Sequence, residues 1–462
     1  MLPVEGWPIL TAAAMRAAEN DAIAAGTTVD ALMRTAGEGI ATAVRRFAAG
    51  AEVLVLCGPG NNGGDGYVAA AALAEAGLAV RLAASAAPRT AAAQRAAAGW
   101  AGPVEPLNAA MPAPVLVDCL FGTGMTRPLD QDLDAALARL SAAARITIAA
   151  DLPSGVHADS GEAPQWALAH PVTLTLALGA LKPAHVLQPG AGVCGTVRLV
   201  DLGLAAAGEA VVANHPSLPE PGPDSHKYTR GMVAVVAGAM EGAARLAGVA
   251  ALRSGAGYVA LYGGSGQGGP DALVHRPFDY AALAERRIGA ILIGPGLGRD
   301  DEARARLHAL IDADDRPLVI DGDALHLFDP DTLRERRHPV VLTPHAGEFK
   351  ALFGTIPGSL LDQAQTASER SGATVVLKGP TTIVAAASGI RVHPGGNAWL
   401  STAGTGDVLA GAIAAQLAHA NDDPLAAASA GVWLHAEAAR LAGRSFIADD
   451  LANALTAARA GA

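Results

Sequence analysis

Short runs of β-branched and aliphatic residues, such as Val53-Leu54-Val55-Leu56, Val115-Leu116-Val117 and Ile146-Thr147-Ile148, alternate with Ala-rich stretches of helical length. This rhythm constrains the fold most, because it predicts βαβ units whose parallel strands are buried on both faces. It continues through Val172-Thr173-Leu174-Thr175-Leu176 and Thr196-Val197-Arg198-Leu199-Val200. Between about Ala205 and Thr229 it yields to Pro216, Pro219, Pro221, Gly222 and Pro223, a composition of extended, weakly packed backbone. It restarts at Met232-Val233-Ala234-Val235-Val236 and recurs over 290–293, 318–320, 340–342 and 374–377. The chain of 462 residues is therefore expected to be an α/β protein of two αβα sandwiches: a first domain over 1–210, a linker over 211–229 and a second domain over 230–462.

Composition narrows the function. Hydrophobic residues make up 51%, aromatics only 4%, and Gly reaches 54, which predicts small-residue packing of closely spaced elements. The net charge of −11 argues against a nucleic-acid partner. It leaves room for an anionic small molecule, because backbone N–H groups and helix N-termini hold phosphate without a basic surface. Cys57, Cys119 and Cys194 are odd in number and widely spaced in apolar runs, as expected of reduced core thiols and not of a disulfide framework or a zinc site. No apolar run approaches the ~18 residues of a membrane span, so no membrane partner and a cytoplasmic location are expected.

Three strand ends in the first half carry chemistry. Cys57-Gly58-Pro59-Gly60-Asn61-Asn62-Gly63-Gly64-Asp65-Gly66 follows one predicted strand and precedes a helix-like stretch over Tyr67 to Ala76. Such a glycine loop offers bare N–H groups at the carboxyl edge of a parallel sheet. Asp118 and Asp151 close two further strands, so the three segments converge on one crevice. Taken singly, each Asp is as readily a turn former or helix cap. Phe121-Gly122-Thr123-Gly124-Met125-Thr126-Arg127-Pro128 adds a second glycine loop with a cation, and Pro153-Ser154-Gly155 a turn able to ligate one.

In that order, Gly60 to Gly66, Asp118-Cys119-Leu120-Phe121-Gly122-Thr123-Gly124 and Asp151-Leu152-Pro153-Ser154-Gly155-Val156 resemble the NAD(P)H-hydrate epimerase family, over about the first 200 residues. The resemblance implies a Rossmann-like fold that inverts C6 of a hydrated nicotinamide ring. By motif it implies that Asn61, Asn62, Gly63, Gly64 and Asp65, with Gly122, Thr123, Gly124, Met125, Thr126, Arg127 and Pro128, hold the substrate. It further implies that Asp151 contacts the reacting end and that Asn62, Asp118 and Ser154 bind K+. A carboxylate at Asp151 is expected to relay the proton that expels and readds water at C6. One departure is Arg34 in Leu32-Met33-Arg34-Thr35-Ala36-Gly37, where the family carries an acid; it is read as a change in a packing helix.

In the second half, Gly404-Thr405-Gly406-Asp407 opens an apolar segment of helical length. Its N–H groups and dipole suit the charge of a transferred phosphoryl group, and Asp407 can accept a hydroxyl proton. Gly294-Pro295-Gly296-Leu297-Gly298, Asp321, Thr343-Pro344-His345-Ala346-Gly347-Glu348 and Lys378-Gly379-Pro380-Thr381-Thr382 lie at other strand ends. These motifs resemble the ribokinase-like family and its branch of ADP- or ATP-dependent NAD(P)H-hydrate dehydratases, over about residues 225 to 462. That resemblance implies a catalytic base at Asp407 and nucleotide contacts from Lys378, Gly379, Pro380, Thr381, Thr382 and Gly406. It implies substrate contacts from Asp407, His345, Gly296 and Ala243, and Mg2+ with ADP or ATP, a metal that Glu348 would reach through water.

Both resemblances point to one damaged cofactor. The chain is thus expected to epimerise R and S NADH hydrate or NADPH hydrate and to dehydrate the S form, and to assemble as a homo-oligomer. The alternative is a ribokinase-like kinase of a small hydroxymethyl compound fused to a nucleotide-binding module without catalysis.

Overall fold

The computed structural model describes residues 1–462 apart from Thr126, Asp314, Ala420 and Asn421. The chain divides into two compact units, Met1–Val212 and Ala213–Ala462. Residues 213–231 hold neither helix nor strand. The expected linker over 211–229 begins inside a short strand, Ala210–Val212, which bonds back to the N-terminal segment through Ile9 N–H to Ala210 C=O and Val212 N–H to Trp7 C=O.

The first unit carries β1 (Val53–Cys57), β2 (Val80–Ala84), β3 (Val104–Pro106), β4 (Val115–Cys119), β5 (Ile146–Ala150), β6 (Leu174–Leu178) and β7 (Thr196–Val200). They form a parallel sheet in the order β3-β2-β1-β4-β5-β6-β7, so the winding reverses between β1 and β4. Apolar runs without alternation are what two covered faces demand. Val53, Val55 and Cys57 pack against the helices Val29–Ala48 and Asn61–Glu75, while Leu54 and Leu56 share the opposite core with Leu137 and Trp166.

The glycine loop after β1 departs from expectation. Residues 61–66 form the first turns of the helix Asn61–Glu75, with Gly60 as N-cap, and are not a loop before a helix at Tyr67. Its glycines permit close approach: a Cβ on Gly63 would lie 1.9 Å from the Gly58 carbonyl oxygen, and one on Gly58 1.9 Å from that of Leu120. Strand β6 also starts two residues later than the run from Val172, because the Val172 N–H bonds Val193 C=O outside the sheet.

The second unit carries β9 (Met232–Val236), β10 (Tyr258–Tyr262), β11 (Leu273–Arg276), β12 (Ala290–Ile293), β13 (Leu318–Ile320), β14 (Val340–Leu342), β15 (Thr374–Leu377), β16 (Thr382–Ala386) and β17 (Gly389–His393), numbered after β8 (Ala210–Val212). Their order is β11-β10-β9-β12-β13-β14-β15-β16-β17, parallel as far as β15 and antiparallel beyond it. The apolar helix Thr405–His419 is almost wholly buried. It crosses the helix Glu241–Arg253 so closely that a Cβ on Gly411 would lie 2.1 Å from the Ala247 carbonyl oxygen. Small residues set this spacing, as the composition predicts.

Candidate functional sites at two strand-tip crevices

Strands β1 and β4 run in register, Leu56 beside Asp118 and Cys57 beside Cys119, so their following segments meet at the winding reversal. A cavity of about 610 Å³ opens there. Asn61, Asn62, Asp65, Gly122, Thr123, Gly124, Met125 and Asp151 line it. Gly63 and Gly64 are buried in the helix behind it, Arg127 and Pro128 are exposed away from its lining, and Thr126 lies outside the described residues.

Asp151 is buried with φ of 65°, a left-handed conformation uncommon outside glycine. Its Oδ2 accepts the Thr123 N–H at 3.0 Å, and its Oδ1 accepts from Lys182 Nζ at 2.5 Å. Lys182, 1% exposed, also donates to the carbonyls of Leu178 (2.9 Å) and Ala180 (3.0 Å), which commits all three of its protons. Burial alone would raise the Asp151 pKa, but the charge and hydrogen bond of Lys182 outweigh it and hold the carboxyl below its ordinary value. His185 Nδ1 accepts the Lys182 N–H at 2.9 Å, so Nε2 donates to Asp151 C=O at 2.6 Å; burial, then Lys182, brings this ring down to about 4 and keeps it neutral. Asp65 and Glu19, both on the cavity, are shifted the opposite way, up: Asp65 by burial and then by Asp151 and Glu19, and Glu19 by burial, against the opposing charge of Lys182.

Asp118 and Ser154 sit beneath the cavity, both 0% exposed. The Asp118 carboxylate accepts from Ser154 Oγ at 2.7 Å, Ser154 N–H at 2.8 Å and Leu120 N–H at 3.2 Å, and Trp166 Nε1 pins the turn by donating to Ser154 C=O at 2.8 Å. Burial still raises the Asp118 pKa despite those bonds. Among the described residues no cationic side chain pairs with Asp118, and Asn62 Nδ2 is buried without a partner. The Asp118 carboxylate, Ser154 Oγ and the Phe121 carbonyl lie together as an oxygen set of the kind that suits a weakly charged cation, to which the Asn62 Nδ2, a donor, adds no ligand.

In the second unit Asp407 stands in the first turn of the helix Thr405–His419, entered through Gly404 at φ of 91°. Burial, reinforced by Asp321 and opposed by Lys378, pushes Asp407 up to about 6. Lys378, at the tip of β15, donates to Asp321 Oδ1 at 2.9 Å, which also accepts from Thr343 Oγ1 at 2.6 Å. Lys378 also lies 3.8 Å from Glu348 Oε2, and a Cβ on Gly406 would be 3.5 Å from its Nζ. Gly379 and Pro380 are exposed beyond Lys378, with Thr381 and Thr382 turning the chain into β16. His345 caps the helix Ala346–Phe353: its Nδ1 accepts the Gly347 and Glu348 N–H groups at 3.0 and 3.2 Å, leaving an exposed Nε2–H. Gly296 and Ala243 meet, since a Cβ on Gly296 would be 3.0 Å from that of Ala243.

Sequence reading missed Lys182, His185 and Glu19. A usable signal existed: only four of the 33 basic residues are lysine (Lys182, Lys227, Lys350 and Lys378), and two of these stand at the two crevices. In a chain whose default cation is arginine, a lysine placed at a strand end marks a need for a compact point charge.

These features define a class: an α/β protein of two units, each setting a lysine–aspartate ion pair and a second aspartate of raised pKa at the tips of its parallel strands. A family model described as NAD(P)H-hydrate dehydratase matches residues 233–459, and one described as YjeF-related protein N-terminus matches residues 29–184. The bifunctional NAD(P)H-hydrate repair enzyme Nnr of Mycobacterium tuberculosis is 36% identical, over 84% of this chain and 84% of its own length. Those of Salinibacter ruber and Escherichia coli are 35% and 33% identical, over 96% and 93% of this chain and 94% and 89% of their own lengths. A solved Bacillus subtilis ADP/ATP-dependent NAD(P)H-hydrate dehydratase, co-crystallised with ATP and Mg2+, is 30% identical over 52% of this chain and 93% of its own, at a TM-score of 0.46. The chain belongs to the family of bifunctional NAD(P)H-hydrate repair enzymes. The alternative of a hydroxymethyl kinase with a silent first module is not favoured, since relatives matching both units carry the repair name.

Proposed function

We propose that the first unit interconverts R and S NAD(P)H hydrate and that the second dehydrates the S form at the expense of ADP or ATP. The observation that carries this reading is the pairing of Asp407, tuned to about 6, with a glycine helix start and Lys378. A base of that pKa takes the proton of the C6 hydroxyl near neutrality. The freed oxygen attacks the terminal phosphoryl group, whose charge meets the N–H groups at Gly404, Thr405 and Gly406 and the Lys378 ammonium. Phosphate then leaves C6 as a proton leaves C5, restoring the dihydronicotinamide. Hydroxide alone is a poor leaving group, which is why a nucleotide is consumed. Gly296, Ala243 and His345 would face the hydrated cofactor, and the Lys378 to Thr382 segment the nucleotide.

Among the described residues no cluster of three His, Cys, Asp or Glu side chains could hold a metal. Mg2+ would accordingly arrive on the nucleotide phosphates, with Glu348 reaching it through water, and would neutralise phosphate charge. In the first unit Asn62, Asp118 and Ser154 would hold K+, which would let Asp118 stay ionised in the core. Asp151, fixed as an anion by Lys182, would stand beside the positive charge that develops on the ring as water leaves C6. NADH hydrate and NADPH hydrate are both taken as substrates. No helix of the described residues is long and apolar enough to cross a membrane. The homo-oligomer and the cytoplasmic location remain part of this proposal, to be checked by light scattering and by fractionation.

The test supplies the purified chain with an R/S mixture of NADH hydrate, a nucleotide and Mg2+, and follows regenerated NADH by absorbance. Complete conversion faster than spontaneous epimerisation is the expected result. A halt near the S share would remove the first activity, and no NADH at all would remove the second.

A further inference from the structure

Two carboxyl groups reach the cavity of the first unit, and the protein prepares them in opposite ways. Asp151, at the sheet tip, is held by Lys182 and by the Thr123 N–H. Asp65, on the helix wall, is 7% exposed, and among the described residues neither a hydrogen bond nor an ion pair holds its carboxyl. Lys182 cannot serve it, because Asp151, Leu178 C=O and Ala180 C=O take that ammonium's three protons. The other groups acting on Asp65 are Glu19 from the helix Ala12–Ala24 and the buried thiols of Cys57 and Cys119; Arg16 of that helix lines the same cavity, where its charge acts on Glu19. Three carboxyls thus share a cavity in which, among the described residues, the one buried ammonium, Lys182, hydrogen-bonds Asp151 alone of the three, while its charge also reaches Glu19.

We propose that Asp65 is the proton donor of the epimerisation, acting on the C6 hydroxyl while Asp151 remains the anion of the site. The inference rests on the epimerase reading of the first unit. Asp65 gives its proton to the hydroxyl oxygen, and the C6–O bond breaks with both electrons on oxygen, so water departs. The N1 lone pair closes an N1=C6 double bond, and the resulting cation sits beside the Asp151 carboxylate. Water then attacks C6 from the other face, the N1=C6 pair returns to nitrogen, and the proton shed by that water returns to Asp65 through water in the cavity. One water leaves, one adds, and nothing is oxidised or reduced. Burial, together with the charges of Asp151 and Glu19, raises the Asp65 pKa well above the ordinary carboxylate value, in the direction a donor requires.

The experiment uses the full chain, pure R hydrate of NADH and no nucleotide, with R-to-S conversion followed by chromatography and the spontaneous rate subtracted. Asp65→Asn is expected to lower kcat on the order of 100-fold while the calorimetric Kd for the hydrate stays within about twofold of wild type. Wild-type kcat/KM should fall at high pH as Asp65 loses its proton, and the variant should lack that limb. Wild-type rate and pH profile in Asp65→Asn overturn the proposal, and so does loss of hydrate binding in step with rate, which would make Asp65 a binding group only. If Asp65→Asn fails to fold, judged by its melting temperature, Asp65→Glu decides: a shifted high-pH limb supports the proposal and an unmoved limb overturns it. A wild-type chain no faster than the spontaneous reaction would sink the epimerase reading itself. An inactive Asp151→Asn beside a fully active Asp65→Asn would sink only the donor role.

Discussion

Asp151 and Lys182 meet across 31 residues of sequence, and that separation explains both their effect and their invisibility to sequence reading. Removing one partner strands a charge in the core. Lys182→Met should therefore cost about 3–5 kcal/mol in urea unfolding, while adding Asp151→Asn should recover part of the loss. Equal destabilisation in the single and double variants would refute the pairing. At Asp407 the sign is set by a pKa raised to about 6: the base is protonated, and idle, below that value. Dehydratase kcat/KM should climb tenfold per pH unit below about 6 and level off above it, and Asp407→Asn should lose on the order of 1,000-fold. Both aspartates were legible because a strand end or a helix start places its next residue in the crevice whatever the tertiary detail. Lys182 was not, since nothing local ties a lysine before a proline to an acid on another strand.

Helices and strands were legible wherever apolar runs were long. The runs at 53–56, 115–117, 232–236 and 290–293 all became strands. Strand β2, Val80-Arg81-Leu82-Ala83-Ala84, escaped notice because Ala and Arg break the β-branched pattern, and Arg81 finds its partners far along the chain, in Glu105 on β3 and the Met111 carbonyl. The β16–β17 hairpin was hidden by a similar Ala-rich stretch. The larger misreading concerned the glycines after β1, taken as loop and found to be helix. Their service is to bring a helix against the backbone, so Gly63→Ala should shift the first turn and cost about 1–3 kcal/mol or more. Epimerisation should fail in that variant while dehydration of pure S hydrate persists; an unchanged melting curve and epimerase rate would contradict the packing argument.

At the scale of the whole chain, each unit has its own apolar cores, so residues 213–462 expressed alone should fold and turn over S hydrate. Given a mixed hydrate, that fragment should consume the S share quickly and the remainder only at the spontaneous rate, as regenerated NADH would report. Rapid full conversion by the fragment would locate epimerisation outside the first unit. The division into two α/β halves was readable from the Pro-rich interruption, but each half's strand order depends on pairings that no local pattern encodes. The lysine placement has a practical corollary. Lys182 is sealed in the core and Lys378 is half-buried, whereas Lys227 and Lys350 are exposed. Amine-directed dyes or surface tethers should therefore attach mainly at those two positions and the N-terminus, giving a chain that can be immobilised while its turnover continues.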